Sequence, residues 1–175
     1  MTGSRGGSVH ARAFARGDGL AGRESDRTAS VYLYPGELLA TADALVVSTV
    51  LGSCVCVCLW DRAKRCGGLN HFLLPHSSSE ESSACRFGRN AMETLFKRVL
   101  ALGCERRDLT ARVFGGASQF ESAPGRVSIG EQNVAVATRF LEEAGVPIVE
   151  REVGGARGRK IVFSIASGDV SVKTL

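Results

Sequence analysis

Between residues 31 and 74 four apolar runs follow one another: "VYLYPGEL", "ALVVSTV", "VCVCLW" and "GLNHFLL". They are rich in β-branched and aromatic side chains, as strands are, and the gaps between them are too short for a helix. Strands that succeed one another without crossover helices exclude a regularly alternating βαβ array. Helical periodicity enters only later. In "SACRFGRNAMETLFKRVLALG", Met92, Leu95, Phe96, Val99, Leu100 and Leu102 recur at steps of three and four, with Gly103 as a stop. In "GEQNVAVATRFLEEAG", Val134, Ala137, Phe140, Leu141 and Ala144 share one face and Gly145 terminates the helix. "LTARVFGGA" between these helices is strand-like, as are "VPIVEREV", "RKIVFSIA" and "DVSVKTL", the last two joined as a hairpin around "SGD". The expected fold is α/β in the α+β sense, a layered sandwich of β-sheets with two main helices.

The folded part begins near residue 29. Residues 1–28 are rich in Gly, Arg, Ser and Ala and cannot bury enough surface to offset their ordering entropy, so a disordered extension is expected. That extension carries Arg5, Arg12, Arg16, Arg23 and Arg27, a large part of the formal net charge of +4. Phe14 is the single aromatic residue among them, too few for the interleaving of a nucleic-acid-binding segment, and a mildly basic surface suits acidic protein partners equally well. No apolar stretch is long enough to span a membrane, and no signal-peptide core is present. A cytoplasmic protein is expected, with its six cysteines as free thiols.

Three of those cysteines crowd into "STVLGSCVCVCLW", residues 48–60. On a strand, Cys54, Cys56 and Cys58 share one face, with Val55, Val57 and Leu59 opposite. Buried free cysteine behaves as a small hydrophobe, the plainest reading of Cys56 and Cys58. Zinc is disfavoured, because steps of two along a strand do not converge on one ion, and only His71 and His76 could complete a ligand set. Cys54 differs because "LGS" precedes it. Gly52 and Ser53 permit a tight turn whose N–H groups favour a thiolate and can hold an oxyanion. His71 is the best-placed base, since His10 lies in the tail and His76 adjoins a polar loop. A symmetric hairpin with 61–67 as its loop pairs Val57 with His71 and leaves Cys54 and His71 about 10 Å apart at strand rise, so a different register has to close the gap. Neither a phosphate-binding loop nor a G-x-S-x-G elbow occurs. "VFGGA" and "VGGARGRK" suit turns where backbones approach closely, and Arg157, Arg159 and Lys160 form either a solvated turn or a docking patch.

Taken in order, "STVLGSCVCVCLWD", "GGLNHFLLP", "RFGRNAMETLF", "ARVFGGA", "IGEQN", "VGGARGRKIVF" and "GDVSVKTL" resemble the CheD family of chemoreceptor glutamine deamidases, from about Val31 to Leu175. The resemblance implies a layered α/β sandwich distantly similar to toxin deamidases, occupying residues 29–175, and a cysteine hydrolase that converts receptor glutamines to glutamate. It places the nucleophile on Cys54 and the histidine on His71. The family's third catalytic residue, a threonine six positions before the cysteine, falls on Ser48, with Thr49 beside it as the alternative. No metal or cofactor is implied. The implied partners are the cytoplasmic helices of methyl-accepting chemotaxis receptors and a CheC-type phosphatase. A monomer is expected, without membrane insertion. The competing readings are a noncatalytic adaptor for receptor helices or a CheC-type phosphatase, and a zinc-binding module.

Overall fold

The computed structural model describes residues 28–77, 84–118 and 127–175. The extension expected at 1–28 lies outside the described residues except for Thr28. Nine strands run β1 (Ala29–Tyr32), β2 (Leu38–Thr41), β3 (Leu45–Leu51), β4 (Val55–Asp61), β5 (Cys66–Asn70), β6 (Leu109–Gly115), β7 (Ile148–Val153), β8 (Arg159–Ser164) and β9 (Val170–Thr174) among the described residues. Helix α1 (Gly88–Ala101) precedes β6, and α2 (Ile129–Ala144) precedes β7. One sheet has the order β1-β3-β8-β9 and the other β2-β5-β4-β6-β7, both mixed. Two sheets and two helices make the α/β sandwich expected.

The side-chain period of β4 builds the layers. Val55, Val57 and Leu59 pack under α1 and α2 with Met92, Leu95, Val99 and Leu141. Cys56 and Cys58 face the other way, toward Val47 and Leu51 of β3 and Ile161 and Phe163 of β8. The order of layers is therefore helices, five-stranded sheet, four-stranded sheet. Met92, Leu95 and Val99 of α1 are fully buried. Each contributes roughly 1.5–3 kcal/mol against exposure, enough to fix which face of the helix turns inward.

Three local expectations need correction. "VYLYPGEL" is not one strand: Pro35 and Gly36, at φ 84°, turn the chain from β1 in one sheet to β2 in the other. Helix α1 begins at Gly88, not near residue 83, because the preceding residues pair with the end of "NHFLLP". Leu73 and Leu74 both donate to the Arg86 carbonyl, at 2.9 and 3.1 Å. Six free thiols are not found either. Cys66 at the start of β5 is paired with Cys104 after α1, leaving Cys54, Cys56, Cys58 and Cys85 free. The hairpin of β8 and β9 forms as read, with Gly168 at φ 76° in its turn.

Candidate active site

The segment Gly52–Cys54 carries the chain from β3 in one sheet to β4 in the other, and its backbone is held from outside. Ala117 N–H donates to the Gly52 carbonyl at 2.8 Å and Gly116 N–H to the Cys54 carbonyl at 2.8 Å. The Asn133 amide of α2 donates to the Ser53 carbonyl at 3.0 Å. All three carbonyls of the turn are thus engaged by β6's following loop and by α2. In a trans peptide the C=O of one residue points away from the next N–H. Tying down the Gly52 and Ser53 carbonyls therefore turns the N–H groups of Ser53 and Cys54 to the opposite side. The Cys54 N–H meets its own sulfur there.

Gly116 is required for this arrangement. It sits at φ 67°, and a Cβ on it would lie 2.5 Å from Val134 Cγ2 and 3.0 Å from the Gly130 carbonyl of α2. Bare backbone at Gly116 and Gly130 lets the helix settle onto the loop that grips the cysteine turn. The helix start is itself fixed by a capping box, with Ser128 Oγ accepting from Glu131 N–H and the Glu131 carboxylate accepting from Ser128 N–H at 2.8 Å.

His71 reaches the same region by a register one residue away from the symmetric hairpin. Cys58 pairs with Leu69 and Asp61 with Cys66. The ladder resumes at Val55 and Phe72, whose N–H groups and carbonyls exchange bonds of 3.1 and 3.0 Å. That register puts His71 opposite Cys56, on the face shared with Cys54. Cys54 and His71 become diagonal neighbours, roughly 7–8 Å between backbones, within reach of a cysteine and an imidazole.

The hydroxyl beside His71 is that of Thr49. It lies 2.8 Å from His71 Nδ1 and donates to the Leu33 carbonyl at 2.8 Å, in a fully buried setting. A hydroxyl has one proton, and the Leu33 carbonyl can only accept. The Thr49 proton therefore goes to Leu33, and its oxygen accepts from His71 Nδ1–H. This assigns the tautomer with a bare Nε2, and Nε2 is buried without a hydrogen-bond partner. Ser48 occupies the other face of β3, in register with Tyr32 and Val162. The structure brings Thr49, not Ser48, to the histidine.

Burial also sets the charges. It pushes the His71 imidazole down to about 4, with the Leu33 backbone opposing that shift. The Cys54 thiol is raised by burial, against a smaller lowering from its own N–H. The resting pair is consequently neutral thiol and neutral imidazole, not the thiolate that the "LGS" turn led one to expect. Cys56 is completely buried, and burial followed by contact with Cys58 pushes its thiol well up. Of Cys54, Cys56 and Cys58 only Cys54 is partly exposed.

Among the described residues no three His, Cys, Asp or Glu side chains cluster so as to hold a metal ion, and no helix is long and apolar enough to cross a membrane. A groove of about 760 Å³ along α2, lined by His76, Arg89, Glu131, Arg139 and Arg151 among others, includes neither Cys54 nor His71.

Known proteins resemble this chain over most of its length. Residues 73–174 match the family model described as CheD chemotactic sensory transduction. The probable chemoreceptor glutamine deamidase CheD 1 of Anaeromyxobacter dehalogenans is 46% identical over 84% of this chain and 85% of its own length. The probable chemoreceptor glutamine deamidase CheD of Rhodospirillum rubrum is 45% identical over 82% and 81%. That of Caulobacter vibrioides is 41% identical over 84% and 79%. A match of 147 residues in a chain of 175 necessarily spans Thr49, Cys54 and His71. With such identity over most of both chains, the protein belongs to the CheD family.

Proposed function

We propose that this chain is a cysteine-dependent protein-glutamine deamidase acting on chemoreceptors, with Cys54 as nucleophile, His71 as base and Thr49 as the residue that orients it. The observation that carries this reading is the bond between Thr49 Oγ1 and His71 Nδ1. It leaves Nε2 bare, buried and on the face of Cys54. The relatives' names identify chemoreceptors as what those proteins act on, and receptor glutamines are the substrate proposed here.

His71 Nε2 takes the proton of the Cys54 thiol as sulfur attacks the carboxamide carbon. Charge develops on the amide oxygen, which the N–H groups of Ser53 and Cys54 receive. The C–N bond then breaks, and the imidazolium gives its proton to departing ammonia, leaving a thioester on Cys54. A water molecule that surrenders its proton to the same imidazole hydrolyses the thioester to glutamate and free thiol. Thr49 keeps Nδ1–H engaged throughout, the orienting role a third group plays in such triads. The steps use only groups of this chain, the substrate and water. The same reading includes a monomer on the cytoplasmic side, receptor helices as the docking target and a CheC-type phosphatase as a second partner.

The test is the mass of a receptor cytoplasmic fragment incubated with the purified protein. Each converted glutamine gains about one mass unit, the consequence of amide hydrolysis. Cys54→Ala should abolish the gain. Cys56→Ala should retain it while losing roughly 1 kcal/mol of stability to a small cavity. Turnover by Cys54→Ala at the wild-type rate, or its loss in a folded Cys56→Ala, defeats the assignment.

A further inference from the structure

Asn133 has no part in the mechanism above, yet it touches both arms of it. It stands on the second turn of α2 with its side chain fully buried. Its amide nitrogen donates to the Ser53 carbonyl at 3.0 Å and to the Leu73 carbonyl at 2.8 Å. Ser53 immediately precedes the nucleophile, and Leu73 follows the base by two residues. A primary amide has two N–H donors, and both are spent on these two carbonyls. The two acceptors also settle which end of the amide is nitrogen, because an oxygen in that place would face both of them. Its Oδ1 is buried without a partner, a cost the fold tolerates for the sake of the two donor bonds.

We propose that Asn133 is a positioning residue that sets the oxyanion-binding peptide and fastens the nucleophile segment to the base segment. This rests on the assignment of Cys54 and His71 given above. The peptide between Ser53 and Cys54 is planar, so a hydrogen bond on its carbonyl fixes the direction of its N–H. That N–H, on Cys54, is one of the two that meet the developing oxyanion. The second bond, to Leu73, ties the same side chain to the segment that carries His71. Ser53 itself is exposed, so the anchor for this peptide comes from α2, whose own placement rests on the capping box and on the Gly116–Gly130 approach. The ordered motif "IGEQN" thus enters the chemistry through its last residue, which Gly130 and Glu131 help to place.

The consequence differs from general loosening. Oxyanion donors act on acyl transfer, in which a carbonyl oxygen gains charge, but not on displacement at a saturated carbon by the same thiol. Asn133→Asp keeps the shape but sets carboxylate oxygens against two carbonyls. Asn133→Ser, which keeps one short donor, serves if the aspartate variant does not fold. Turnover of a receptor fragment, counted per folded molecule by circular dichroism, should fall 10–100-fold in kcat, with KM within about threefold. Alkylation of Cys54 by iodoacetamide should stay within about threefold of wild type. A kcat within threefold of wild type in either folded variant overturns the proposal. So does a loss of kcat matched by an equal loss of alkylation rate, or one confined to KM. Cys54→Ala is run alongside. If it is inactive while an Asn133 variant turns over normally, the role of Asn133 alone fails. If Cys54→Ala still turns over, the thiol leaves the reaction and the role of Asn133 goes with it.

Discussion

Replacing Thr49 by valine removes one hydroxyl and leaves the side-chain shape. That hydroxyl satisfies two buried groups, the Leu33 carbonyl and the His71 Nδ1–H, each at 2.8 Å. Each buried polar group stripped of its partner costs about 1–3 kcal/mol, so Thr49→Val should lose about 2–6 kcal/mol of stability in urea unfolding. The kinetic loss has a separate origin. Without an acceptor at Nδ1 the imidazole is free to carry its proton on Nε2, a form unable to take the Cys54 proton. A bias of about 1.4–2.8 kcal/mol toward that form lowers kcat 10–100-fold. Thr49→Ser keeps the oxygen and should stay within about threefold in kcat, losing about 1 kcal/mol of stability with its buried methyl. Ser48→Ala, on the other face of β3, should leave kcat within about threefold. Receptor-fragment mass against time, at saturating fragment, reads all three. Thr49→Val turning over within threefold of wild type, or Ser48→Ala losing tenfold, refutes the reasoning.

Two predictions concern pH. Because the resting pair is neutral, kcat/KM should have its acid limb near 4, where His71 takes up a proton. Activity should stay level through neutral pH and fall only above the ordinary thiol range, since burial raises Cys54; an acid limb between 6 and 7 would count against a neutral buried base. Stability follows the same group. The unfolded chain binds a proton at His71 near 6.5 and the folded protein only near 4. Stability is therefore complete above 6.5 and is lost as pH falls through that window, by up to about 3 kcal/mol. Urea titrations of wild type and His71→Gln should diverge from each other across it, and parallel curves there would contradict a depressed His71.

The layers of the fold were legible because alternation and helical period are local properties. Cys56 and Cys58 on one face of β4, the two amphipathic helices and the closing hairpin all follow from residue spacing. The position of His71 did not, and the cause is a single residue of register. A loop of 61–67 sets His71 opposite Val57, on the helix side of the sheet. In the structure Asp61 remains in β4, its carboxylate accepts from Lys64 N–H at 3.0 Å, and Arg65 turns the chain at φ 51°. That tighter turn moves His71 opposite Cys56, and a shift of one residue exchanges the faces. The acidic first residue of "DRAK" was the signal for the shorter loop.

Ser48 and Thr49 differ in the same way. "LVVSTVL" is apolar on both faces, so its alternation alone does not tell inside from outside. Val47, Thr49 and Leu51 prove to be the buried set, while Val50 is exposed. What selects them is the packing of β3 across the sandwich onto β4, a contact between separate sheets with no trace in the spacing of either strand.

The protonation state of Cys54 has its origin in that same packing. A glycine turn with free N–H groups favours a thiolate when it stands in water, but here the turn joins two sheets and the thiol is partly sunk between them. Desolvation opposes charge on the sulfur and on the imidazole alike, so neither lowers the other's cost by ionising first. On the mechanism proposed above, a neutral pair transfers its proton only as the carbon–sulfur bond forms, when the oxyanion appears beside the Ser53 and Cys54 N–H groups and compensates the imidazolium. Reactivity is therefore coupled to a carbonyl seated at that turn. On that mechanism the geometry that holds the turn, through Gly116, Ala117 and Asn133, bears on rate more directly than the acidity of the thiol does.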